Sequence, residues 1–78
     1  MSREVLSAIL VSGVFSVIGE VAWMKGNTTI ILDMEWLTIV HNGSQVSFPF
    51  NENRSFRVKV ANGRLSILGE TIRYSHEI

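Results

Sequence analysis

Two Asn-Gly pairs, Asn42-Gly43 and Asn62-Gly63, each sit between runs in which apolar and polar residues alternate. A two-residue type I′ loop needs positive φ at both central positions, and Asn and Gly adopt it at little cost. Such a loop also dictates which residues face each other across the hairpin, so each pair makes a register prediction. Asn42-Gly43 sets Ile39 opposite Val46 and Leu37 opposite Phe48. Asn62-Gly63 sets Val60 opposite Leu65 and Val58 opposite Ile67. All four pairs are apolar on apolar, as one-sided burial of an antiparallel sheet requires.

Weaker turn signals recur at Ser12-Gly13, Gly26-Asn27, Asp33-Met34, Asn51-Glu52-Asn53 and Gly69-Glu70. Gly26-Asn27 places Val21 and Trp23 opposite Leu32 and Ile30, and Asp33-Met34 then places Ile30 opposite Leu37. Gly69-Glu70 places Ile67 opposite Ile72 and Leu65 opposite Tyr74. An odd loop at 51–53 pairs Phe48 with Phe56 and Val46 with Val58, joining the two halves in one sheet. The expected fold is all-β: a single domain over residues 1–78, built as a small antiparallel meander of about seven or eight short strands and closing into a barrel or a folded-over sheet. Residues 1–13 read either as a first strand, in a hairpin turning at Ser12-Gly13, or as a short N-terminal helix.

The register separates two surfaces. In the C-terminal half, Gln45, Ser47, Arg57, Lys59, Ser66, Thr71 and Arg73 point away from the core. In the N-terminal half the outward positions are Ala22, Met24, Ile31, Trp36 and Val40, an apolar stripe. Read as a hairpin, the first segment adds Val5, Ile9, Val11, Val14 and Ile18 on one face, with Leu6, Ala8, Leu10, Phe15 and Val17 on the other. Of the 78 residues 46% are apolar and 18% charged, more hydrophobic surface than so short a chain readily hides. Contiguous exposed apolar surface marks interaction sites. The sequence therefore reads as a non-enzymatic interaction or assembly module, and its expected partner is a copy of itself or a larger protein. Met24, Ile31, Trp36, Val40, Val5, Ile9, Val11, Val14 and Ile18 are the candidate interface.

Two other readings compete. A small β-barrel would surround a lipid or carbohydrate, with Trp23 and Trp36 as anchors. Alternatively, residues 5–24, which carry one charge, Glu20, are long enough for a membrane anchor. Against the anchor stand Gly13, Gly19 and seven β-branched residues in that stretch.

Chemistry is sparse. There is no cysteine, which removes disulfides and thiolate metal sites and fits a reducing compartment. No serine lies in a Gly-x-Ser-x-Gly elbow, and no Gly-rich phosphate loop is present. His41 and His76 fall in separate parts of the chain, so no metal site or cofactor is expected. Asp33 and Glu35 share a strand face but fit a solvated turn equally well. The formal net charge is zero. A weak basic face of Arg57, Lys59, Arg64 and Arg73 remains, and the aromatics that a single-strand nucleic-acid groove adds to such bases are on the opposite side here. Nucleic acid is accordingly not the expected partner.

Overall fold

A computed structural model describes residues 1–51, 53 and 55–78. One helix, α1 (Arg3–Ser12), precedes eight strands among the described residues: β1 (Ser16–Gly19), β2 (Ala22–Lys25), β3 (Thr28–Leu32), β4 (Trp36–His41), β5 (Ser44–Pro49), β6 (Arg57–Ala61), β7 (Arg64–Leu68) and β8 (Arg73–Glu77). The strands form two antiparallel meanders, β1–β5 and β6–β8, each ordered as in the sequence. The fold is thus mostly β and folded over on itself rather than closed into one hydrogen-bonded barrel.

The N-terminal segment is the helix, not the first hairpin. Val5, Ile9 and Val11 bias it towards strand, yet its helical signals prevail. The Ser2 hydroxyl accepts from the Val5 N–H at 3.2 Å as an N-cap, and Glu4 lies in the first turn. Leu6 and Leu10, one turn apart on one face, are both fully buried in the core. The C-terminus closes as a Schellman motif: Phe15 N–H donates to Leu10 O and Val14 N–H to Val11 O, both at 2.9 Å. Residues 5–24 thereby fall across α1, β1 and β2, and no helix among the described residues is long and apolar enough to cross a membrane.

Three hairpins have the expected register. Ile39 faces Val46 and Leu37 faces Phe48; Val60 faces Leu65 and Val58 faces Ile67; Trp23 faces Ile30. Asn42, Gly43, Asn62 and Gly63 all have positive φ, as does Gly26. Two weaker turns are centred one residue later than expected. Ile30 faces Ile39 rather than Leu37, because the β3–β4 loop turns on Met34-Glu35. Asp33 takes the first position of that turn, where its carboxylate accepts from Glu35 N–H at 3.0 Å and Trp36 N–H at 2.8 Å. Ile67 faces Tyr74 and Leu65 faces His76, with Gly69 N–H donating to Ile72 O across the turn. Each correction moves the pairing by two residues, which preserves every face.

The pairing of Phe48 with Phe56 and Val46 with Val58 does not occur, because β5 and β6 belong to different sheets. Phe50 and Phe56 instead stack at 5.5 Å between the two, and Phe48 packs edge-on against Tyr74 at 5.4 Å. The expected 51–53 turn lies partly outside the described residues; within it, Asn53 N–H donates to the Asn51 side chain. The core runs through the space between the sheets, from Leu6, Leu10 and Trp23 to Leu65 and Ile67.

Candidate functional site

Alternation along β2, β3 and β4 puts Met24, Ile31, Trp36 and Val40 on the outer face of the five-stranded sheet, as their sequence positions imply. Cross-strand rows join them: Met24, Thr29, Val40 and Gln45 form one, and Ala22, Ile31, Thr38 and Ser47 the next. Trp36 lies beyond the second row, opposite Pro49 on β5, and its strand start is held by the Asp33 carboxylate. No position in these rows carries a charge. Trp36 is 45% exposed, Met24 42% and Ile31 38%, so the stripe is open to solvent over three adjacent strands.

The remaining predicted interface residues do not join this face. Val5 and Val11 are exposed on α1, where Ile9 is half-buried; Val14 projects from the helix cap; Ile18 sits in the irregular register of β1. With Val17 and Val21 they make a second, scattered group of exposed apolar side chains around α1 and β1. The basic residues occupy the outer face of the other sheet. Arg57, Leu68 and Arg73 form one row, and Lys59, Ser66 and Ser75 the next; Arg64 pairs with Glu77 at 3.5 Å and donates to Ser75 Oγ at 2.9 Å.

Sequence reasoning missed a polar cluster on the inner faces. His41 and His76, treated above as separate, are brought together, with ring centroids 4.0 Å apart and planes tilted by 30°. Thr28, fully buried on β3, places its hydroxyl 3.0 Å from His41 Nδ1 and 3.0 Å from His76 Nε2. The Tyr74 hydroxyl lies 2.7 Å from His76 Nδ1, and Asn42 Nδ2 lies 3.2 Å from His41 Nε2. Burial, the neighbouring His41 and then Arg64 lower the pKa of His76, and burial raises that of Tyr74. No third His, Asp or Glu joins the pair among the described residues. The only hint in the sequence is parity: His76 shares the inward register of Tyr74, and His41 that of Ile39.

The expected ligand anchor Trp23 is committed to the fold. It is buried, and its indole N–H donates to Ser7 Oγ at 3.2 Å, tying α1 to β2. The Asp33 carboxylate is likewise occupied in the turn, accepting from the Glu35 and Trp36 N–H groups. Comparison with protein-family models, curated proteins and solved structures finds no match to this chain. The fold class and the geometry of its surfaces carry the functional argument.

Proposed function

We propose that this chain is a non-enzymatic self-association module, in which the outer face of β2–β5 meets the same face of a second copy. One observation carries the reading: the two rows through Met24 and Ile31 hold exposed apolar groups among uncharged polar ones and no charge, and Trp36 extends them beside Pro49. Rows without charge offer a charged partner nothing to recognise, whereas they can meet their own copy without an unpaired ion. Exposed contiguous apolar surface containing Trp and Met fits the composition of interface centres.

The size of the face sets the expected strength. Four strands about 4.8 Å apart, with side chains extending beyond them, present on the order of 400 Å² per copy. Two copies would then bury roughly 800 Å², below the ~1,200 Å² at which stable complexes begin. Association through this face alone is expected to be reversible and concentration-dependent.

Light scattering coupled to gel filtration, over at least a tenfold concentration range, tests the proposal. The expected result is a mass rising from that of the 8.8 kDa chain towards twice that value, and a Trp36→Asp variant that stays monomeric over the same range. A wild-type monomer throughout, or a variant that associates equally, would overturn it.

A further inference from the structure

We infer that His41, His76 and Thr28 form a two-proton latch between the two sheets, closed while at least one imidazole is neutral and opened when both are protonated. The sheets share no strand pairing among the described residues, and the latch joins β3 and β4 of one to β8 of the other through the buried Thr28 hydroxyl. It lies on the inner faces and does not rest on the self-association proposed above.

Counting donors and acceptors shows why the proton number matters. A hydroxyl has one proton and two lone pairs. With Asn42 Nδ2 donating to His41 Nε2, the His41 proton sits on Nδ1 and goes to Thr28 Oγ1. Thr28 then donates to His76 Nε2, and His76 Nδ1–H donates to the Tyr74 oxygen. Every link is satisfied with both rings neutral. One added proton on His76 turns its Nε2 into a donor to Thr28; His41 then carries its proton on Nε2, facing the rotated Asn42 oxygen, and Thr28 donates to His41 Nδ1. A proton on His41 instead is accommodated by rotating the Asn42 amide so that its oxygen accepts. The second proton removes all freedom: Thr28 must accept twice, its own hydrogen has no ring acceptor in a fully buried position, and two cations face each other at 4.0 Å.

The surroundings offer no relief. Lys25 on β2 is opposite Thr28 in register and places its ammonium on Gly13 O at 2.9 Å. Arg64 on β7 acts electrostatically on His76 and is itself paired with Glu77. Tyr74 on β8 is neutral near pH 7. No carboxylate hydrogen-bonds either ring among the described residues. Protonating both imidazoles therefore favours any arrangement that parts the rings, and β8 is the element they release.

The test is amide hydrogen exchange of β8 and β3 read by NMR between pH 7.5 and 4.5, corrected for intrinsic exchange, with the imidazole resonances followed in the same samples. In the wild type, exchange in β8 should accelerate at least tenfold below about pH 6. His41→Gln and His76→Gln each keep a hydrogen-bonding amide but leave one titrating ring, so the acceleration should disappear in both. Equal acceleration in these variants would overturn the latch. So would a wild type with no acceleration, a measurement that holds even where a Gln variant fails to fold.

Discussion

Gly13 closes α1 directly against Val60 of β6: a Cβ built on Gly13 would lie 2.6 Å from the Val60 Cβ and 2.6 Å from its Cγ1. Its backbone is unstrained, with φ −84°, so the glycine is required by the close approach of helix and strand rather than by conformation. Gly13→Ala is expected to destabilise the protein by about 1–3 kcal/mol, the usual range for overpacking a tight contact. Val60→Ala in the same chain should recover part of that loss. Urea denaturation of both single variants and the double variant measures the coupling.

The neighbouring residue carries the opposite defect. Val14 takes the left-handed position of the Schellman motif with φ 68°, a conformation that a β-branched residue strongly disfavours. Its side chain is 74% exposed, so little packing offsets the strain. Val14→Asn tolerates that backbone without the chain entropy of glycine, and should stabilise the protein by about 1 kcal/mol. For a chain of this size that corresponds to a rise in Tm of roughly 4–8 °C, measurable by thermal denaturation.

Asp33 makes two hydrogen bonds from one carboxylate oxygen to the turn that launches Trp36. Asp33→Ala should cost about 1 kcal/mol, in line with the net value of such bonds, while Asp33→Asn retains an acceptor oxygen and should remain close to the wild type. The comparison is best read from the denaturation midpoint at fixed pH. Equal losses in the two variants would mean that charge, not the acceptor, holds the turn.

What the sequence makes legible divides along the same lines. Asn42-Gly43 and Asn62-Gly63 require positive φ, which few other residues supply, so their hairpins and the outward placement of Trp36, Arg57 and Lys59 follow directly. Asp33-Met34 and Gly69-Glu70 have no such requirement. There the turn is centred by a side chain acting on the backbone and by packing, Gly69 lying against Phe56, which a count of turn residues does not register. Residues 1–13 read equally as strand or short helix: the β-branched residues speak for strand, and they are overruled by the Ser2 cap and the burial of Leu6 and Leu10. The meeting of His41 and His76 depends on how two separate sheets face each other, and no local pattern encodes that.

Stability should depend on pH through one hydrogen-bonded pair, Tyr74 Oη and His76 Nδ1, 2.7 Å apart. His76 has a folded-state pKa below its unfolded value, chiefly from burial and then from His41 and Arg64. Between the two values the unfolded chain binds more protons, so stability is expected to fall as pH drops below about 6.5, the unfolded histidine value, and to level off beneath the folded one. Tyr74 is displaced the other way, upward by burial. Its contribution is complete below the unfolded value of about 10 and is lost as pH rises through that value towards the folded one. Urea midpoints across pH should therefore trace a dome. His76→Gln should weaken the acid limb, while Tyr74→Phe should remove the tyrosine part of the alkaline limb and leave acid sensitivity in place. Identical pH profiles in the wild type and both variants would place the titration elsewhere in the chain.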